Sequence, residues 1–399
     1  MTNLSHEPEI SIHDLGKFKI HLPIKKEWMV EGCNILMSIR PEKIFISKKE
    51  VKNFCGASHS VAVNSATSAL HIACLALDLG PGDIMWTSPI SFVASSNSAL
   101  YCGATVDFVD IDFKTNNMSI EALKAKLQKA KKAGSLPKVV MPVHMGGRSC
   151  CMEDIYQLSK EFNFRIIEDA SHAIGGKYLG KPVGSCQFSD ITVFSFHPVK
   201  IITTGEGGVA LTNDKTLYER MNILRSHGVT RNKEIMTRAN EGDWYYEQID
   251  LGLNYRMTEM QAALGLSQMS RLDTFVEERN KLALSYHDRL SDLVISLPYE
   301  TLGIYSSYHL YIVKLHSKSP AQRKTVFEFM RANDVAVNVH YIPIHLQPYY
   351  GNMGFHRGQF PEAELYYDGA LSLPLYPGLT EALVDKISAL LSESLMLDY

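Results

Sequence analysis

From about residue 60 onward the hydrophobic positions keep changing period. Residues 61–63 form a β-branched run, and the stretch after it repeats Leu70, Cys74 and Leu77 at helical spacing. Short apolar runs recur at 84–87, 105–109, 138–143 and 165–167, and the intervals 92–101, 120–133 and 152–162 carry helical patterns. Strands alternating with helices of this length predict a mostly parallel sheet covered on both faces, an α/β domain. After Asp190 two strand-like runs, 191–196 and 209–212, flank a segment holding Gly205, Gly207 and Gly208, and helical patterns follow at 215–224 and from 257 to 271 and beyond. Past residue 300 the pattern thins to strands at 310–315 and 335–341 and helices at 323–332 and 381–391, with more Pro and Tyr, which predicts a smaller α+β domain.

Composition narrows the picture without changing it. The 399 residues are 45% hydrophobic and 21% charged, as in ordinary globular proteins, and the length calls for more than one packed unit. Forty Lys and Arg against 43 Asp and Glu leave a net charge of −3, so no global field recruits nucleic acid or an anionic membrane. An anionic ligand therefore needs a local site. No apolar stretch is long enough for a bilayer and the polar start does not read as a secretory signal, so a cytoplasmic address is expected. Seven cysteines, with Cys150 and Cys151 adjacent, suit a reducing compartment.

Two residues suggest specific chemistry. Asp169 ends the apolar run at 165–168, and in parallel sheets ligands sit beyond the carboxyl ends of strands. Alone it reads more readily as a solvated or helix-capping residue. Lys200 lies among apolar residues in Phe194-Ser-Phe-His-Pro-Val-Lys200, ahead of the Gly-rich turn. An amine in apolar surroundings gives up its proton more readily and becomes a nucleophile. A lysine that bonds an aldehyde and a carboxylate that keeps a pyridine nitrogen protonated are the pair a pyridoxal phosphate enzyme requires. Asn64-Ser-Ala-Thr-Ser68, where a strand turns into a helix, is either an ordinary cap at Ser65 or Thr67 or a phosphate site, and Ser195 offers another hydroxyl. Phe92 is placed to stack on a ring, although an isolated Phe is usually core. Asp107, Asp110 and Asp112 alternate as strand residues ordinarily do, and no metal is expected there. His340 and His345, separated by Pro343, are expected to line a substrate pocket rather than bind zinc.

The strings NSATSALHIACLAL, TSPISFVAS, IIEDASHAIGG, FSFHPVKIITTGEGG, RSHG, LNYRMTEMQAALGLSQ and VNVHYIPIHLQPYY occur in this order. Together they resemble the sugar-nucleotide aminotransferases of the DegT/StrS group, most of all those of pseudaminic acid biosynthesis, over residue 55 to the C-terminus. The resemblance implies the fold type I, aspartate aminotransferase-like architecture: an N-terminal segment (1–54), a large pyridoxal phosphate-binding domain (55–270) and a small C-terminal domain (271–399). It implies a homodimer. It makes Lys200 the Schiff-base lysine and Asp169 the partner of the pyridine nitrogen. Thr67, Ser68 and Ser195 correspond to phosphate contacts, Phe92 to the stacking ring, and His172 to a neighbour of the 3-hydroxyl. Asn254 corresponds to a residue reaching in from the partner subunit, and Ala66, His340 and Tyr341 to sugar-nucleotide contacts. The substrates implied are glutamate and a UDP-4-keto-6-deoxy-N-acetylhexosamine; a UDP-pentose or GDP-hexose, or a non-catalytic cofactor-binding homologue, are the alternatives. The stretches 22–26 and 38–45 depart from the family's aromatic-Gly and LTQG-like features.

Overall fold

The computed structural model describes residues 46–238, 241–316 and 320–396, beginning with helix α1 (Ile46–Cys55), so the divergent stretches at 22–26 and 38–45 lie outside the described residues. Seven strands form the main sheet: β1 (His59–Val63), β2 (Ile84–Thr87), β3 (Thr105–Phe108), β4 (Val139–Met141), β5 (Arg165–Asp169), β6 (Ile191–Ser195) and β7 (Gly208–Thr212). Their order is β1-β7-β6-β5-β4-β2-β3. Only β7 runs against its neighbours; the pairs β2–β3, β2–β4, β4–β5 and β5–β6 are parallel. The loop leading from β6 to β7 holds no helix to carry the chain back across the sheet, so the strand returns directly.

Side-chain alternation explains why the strands read as continuous apolar runs. Ile167, Val139 and Met141 face one core, which they share with Leu70 and Ala73 of α2 (Ala66–Ala76), Ala99 of α3 (Ala94–Tyr101) and Leu217 and Met221 of α4 (Lys215–Leu224). Ile166 and Val140 face the other, against the helices Ile120–Ala133 and Met152–Phe162 with Leu123, Leu127, Ile155 and Leu158. Both faces are covered, as a parallel sheet needs. The carboxylates weighed as a cation site have structural partners instead. Asp107 pairs with Lys126 at 2.6 Å, Asp110 accepts from the N–H groups of Glu362 and Ala363, and Asp112 accepts from Thr115 N–H.

The C-terminal portion builds a three-stranded antiparallel sheet from β8 (Ile295–Ser296), β9 (Tyr311–Leu315) and β10 (Ala370–Leu373), in the order β8-β9-β10. It packs against the long helix Leu272–Leu290 and the helix Glu381–Ser394. The strand expected at 335–341 does not form: Asn338 alone bridges, to Ser372, and the place beside β9 belongs to β10. The reason is local, because Val337 N–H turns back to Val335 O at 2.8 Å and Val339 N–H takes the Asn338 side chain at 2.8 Å. Those donors are spent before a ladder can use them.

Residue 168 locks the middle of the sheet. On β5 it points away from the face of Asp169, and its carboxylate accepts from His144 Nε2 at 2.7 Å, Thr192 Oγ1 at 2.8 Å and Ser189 Oγ. Cys150 N–H donates to His144 Nδ1 at 3.1 Å, which places the histidine proton on Nε2, facing Glu168. Burial alone would push the Glu168 carboxyl up, but these donors hold it below the usual carboxylate value of 4.5. Glu168→Ala strands a buried imidazole N–H and two hydroxyls, and urea unfolding should show a loss of about 3 to 5 kcal/mol. A depressed folded-state value means this stability is present above pH 4.5 and lost as pH falls through the lower value. Glu168→Gln should therefore flatten the acid limb of a stability-against-pH curve.

Candidate active site

Strand register brings the sequence-distant candidates to one edge. Asp169 at the end of β5 pairs with Val193, Ser195 at the end of β6 pairs with Gly208, and Gly208 pairs with Val63 at the end of β1. The carboxyl ends of three parallel strands thus lie side by side, each followed by a loop carrying chemistry.

The first loop makes an anion cradle. Ser65 caps α2 by accepting from Ser68 N–H at 3.1 Å, and Ser68 Oγ donates to Asn64 Oδ1 at 2.7 Å. The N–H groups of Ala66 and Thr67 have no acceptor within the helix and add to its positive end. A Cβ at Gly208 would sit 2.6 Å from Ala66 N, so only glycine lets the start of α2 lie flush on the sheet beside Ser195. Ser68 therefore has an architectural duty as well as the expected phosphate contact, while Thr67 remains half-buried at the rim.

Asp169 is 5% exposed and fully coordinated by donors. Its Oδ2 accepts from Ser95 Oγ at 2.6 Å, and its Oδ1 accepts from Ser171 Oγ at 2.6 Å and Ser171 N–H at 3.2 Å. Ser91 Oγ lies 2.6 Å from Ser95 Oγ and extends the network. Neither Ser91, Ser95 nor Ser171 figured among the sequence candidates. The available signal was the density of serines in 91–98, of which Ser95, Ser96 and Ser98 are wholly buried on a helix that should have apolar residues there.

Lys200 sits half-buried in the loop after β6, between exposed residues 197–199 and the buried Ile201 and Ile202. Burial lowers its amine to about 8, against the pull of the Asp169 charge in the other direction. At that value about a tenth of the amine is neutral at pH 7, far more than for an ordinary lysine.

A neutral cluster faces this pair. Gly146 N–H donates to His172 Nδ1 at 3.3 Å, so the imidazole proton is on Nε2, which lies 3.1 Å from the Tyr341 hydroxyl. Burial, with Lys200 and His340 adding to it, keeps His172 well below its ordinary pKa, and burial then Lys200 lower His340 to about 4. Tyr341 is pushed up by burial and by Asp169 and keeps its proton. Phe92 is 60% exposed, with its ring 6.3 Å from that of Tyr341. The structure thus gathers Lys200, Asp169, His172, His340, Tyr341 and Phe92, with Ala66, Thr67, Ser68 and Ser195 along the same edge. Two candidates stand elsewhere. His345 is buried with its Nε2 2.9 Å from Glu364, because residues 344–370 return to the main core, so it does not line the pocket. Asn254 is exposed, bridges Ser226 through its backbone, and makes no side-chain hydrogen bond among the described residues.

This donor set fits a flat cation-bearing ring with an aldehyde at one end and a phosphate at the other. The neutral fraction of Lys200 meets the aldehyde, Asp169 meets a protonated ring nitrogen, and the α2 terminus meets the phosphate.

Residues 46–392 match the model of the DegT/DnrJ/EryC1/StrS aminotransferase family. The GDP-perosamine synthase of Caulobacter vibrioides is 35% identical over 351 residues, covering 88% of this chain and 89% of the relative. A Campylobacter jejuni UDP-4-amino-4,6-dideoxy-N-acetyl-beta-L-altrosamine transaminase is 35% identical over 327 residues, covering 81% and 82%. Among solved structures, the PLP form of the sugar aminotransferase Spr1654 from Streptococcus pneumoniae superimposes with a TM-score of 0.78 at 28% identity, covering 87% of this chain and 90% of that one. The sheet order, the C-terminal antiparallel sheet and this superposition describe a fold type I aminotransferase. The chain belongs to the DegT/DnrJ/EryC1/StrS aminotransferase family.

Proposed function

We propose that this aminotransferase uses pyridoxal phosphate to move an amino group from glutamate to C4 of a UDP-4-keto-6-deoxy-N-acetylhexosamine, in pseudaminic acid or related surface-glycan biosynthesis. The observation that carries the chemistry is the buried Asp169 clamped by Ser95 and Ser171 beside a Lys200 whose amine is lowered to about 8. The choice of sugar rests on the VHYIP segment, which brings Tyr341 against His172 with the His340 ring beside Tyr341, and on likeness to the Campylobacter transaminase. A GDP-4-ketohexose is the competing reading, favoured by equal identity to the Caulobacter GDP-perosamine synthase. Incubating purified protein with glutamate and a panel of UDP- and GDP-linked ketosugars, followed by mass spectrometry, decides between them. Amination confined to the GDP-sugars would overturn the substrate assignment.

The cofactor, when bound, supplies an electron sink for the carbon that carries the migrating amine. The protein supplies everything else. Lys200 is the group near the reacting centre whose pKa lies close to neutrality, so it takes the proton from the donor carbon and returns it on the opposite side of the exchange. Asp169 would keep the ring nitrogen of a bound cofactor protonated, and its serine clamp fixes the orientation of the carboxylate. Tyr341, accepting from His172, has its own proton free to donate toward the pocket. Thr67 and the N–H groups at the start of α2 hold the phosphate end, with Ser195 beside them, and Phe92 offers its exposed face to the ring. We further propose that the working unit is a homodimer in which Asn254 reaches the partner's site; the same stretch of chain carries Leu251 and Met260, each 82% exposed. The division at 270–271 into a large and a small domain belongs to the same reading.

Borohydride reduction of the loaded protein should leave the pyridoxyl mass on the peptide containing Lys200 and on no other lysine. The rate of cofactor uptake by stripped protein, followed by absorbance, should rise about tenfold per pH unit up to about 8 and level off above it, because only the neutral amine reacts. Asp169→Asn removes the charge that raises the Lys200 value, so this limb should move to lower pH. Turnover in the same variant should fall by about two orders of magnitude or more in a coupled glutamate assay.

A further inference from the structure

The residues behind His172 form a layer that the chemistry above does not use. Leu310 N–H donates to Gly146 O at 3.2 Å and Ser307 N–H to Gly147 O at 3.1 Å, while Ser307 Oγ donates to the carbonyl of His172 at 3.0 Å. The segment 307–310 thus grips both the backbone of His172 and the loop whose Gly146 N–H meets its Nδ1. Gly147, at φ +102°, passes so close that a Cβ there would lie 2.9 Å from His309 N. Between these anchors the His309 ring lies against His172, centroids 4.4 Å apart and planes inclined at 50°. His309 is buried and its Nδ1 has no hydrogen-bond partner, so what it presents to His172 is the face of its ring.

Arg279 is buried and directs Nη1 to the carbonyls of Tyr308 at 3.1 Å, His309 at 3.3 Å and Leu375 at 2.8 Å. The charged and titratable groups acting on His309 are His172, Lys200, Arg279 and His340, with no acid among them. Burial is the largest effect holding His309 well below its ordinary pKa, and the neighbouring bases and the Arg279 charge act in the same direction.

We propose that His309 is a positioning residue for the transamination: a flat neutral ring that holds His172 in the one orientation in which Nδ1 accepts from Gly146 and Nε2–H reaches Tyr341. It acts through His172, whose ring it faces. The proposal rests on the reading of the Lys200 and Asp169 site given above. Its consequence is that the C-terminal portion of the chain, which contributes Ser307 and His309, sets the geometry of a residue on the loop after β5.

The test compares His309→Leu and His309→Phe with the parent, using His309→Gln in place of the leucine variant if the latter does not fold. In stripped protein labelled with ¹⁵N-histidine, two-bond proton–nitrogen spectra, assigned with His172→Gln, should show His172 as a single neutral Nε2–H tautomer in the parent and in His309→Phe. In His309→Leu they should show mixed tautomers and a His172 that titrates. In the loaded proteins the glutamate half-reaction should slow about ten- to hundredfold in His309→Leu with little change in the glutamate concentration needed, and return to within about threefold of the parent in His309→Phe. An unchanged tautomer and rate in folded His309→Leu would overturn the proposal, as would a folded His309→Phe as impaired as the leucine variant. Failure of the parent itself to take pyridoxal phosphate at Lys200 is a separate result, which removes the site reading while the tautomer measurement still judges His309.

Discussion

A carboxylate buried at the end of a strand must find hydrogen-bond donors in place of water, and the arrangement around Asp169 follows from that requirement. Water is excluded, so the charge is met by hydroxyl and N–H donors: Ser95 from α3 and Ser171 from the next turn. The preference of a helix interior for apolar residues is given up on one face of α3 to provide them. Lys200 feels the same carboxylate, and its amine ends between two opposing pulls, burial downward and Asp169 upward.

Neutrality in the rest of the pocket is built by different means. Tyr341 is too costly to ionise, and His172 and His340 too costly to protonate, because each is withdrawn wholly or partly from water and the nearest charges have the wrong sign for the change. The pocket therefore offers hydrogen-bond donors of fixed direction with a single titrating base among them. Where a backbone N–H meets an imidazole nitrogen, at His172 as at His144, the fold itself chooses the tautomer.

Much of this was legible before any coordinates. The alternation of short strands and helices gave the sheet because both faces are buried, so each strand appears as a plain apolar run. Lys200 and Asp169 stood out because a lysine among apolar residues and an acid ending an apolar strand are locally anomalous. Ser95 and Ser171 did not, since a serine is unremarkable in sequence and acquires meaning only when register sets it opposite a carboxylate. The missing strand at 335–341 and the unexpected one at Ala370–Leu373 share a cause: edge pairing depends on which backbone donors remain free, and the side-chain pattern of Val335 to Tyr341 is silent about that. His345 misled because its partner, Glu364, lies in a segment whose return to the main core has no periodic signature.

The reversed strand β7 has a further implication. Since Ser195 and Gly208 face each other across adjacent strands, the lysine-bearing loop is a closed circuit whose circumference is fixed by its two ends. One residue more or fewer would slide Lys200 along that circuit and away from Asp169, whereas a change of side chain at the exposed positions 197–199 leaves the circuit intact. Length here is what descent must conserve, and chemistry at the rim is what it is free to vary, so relatives of this protein should diverge around the lysine by substitution and not by insertion.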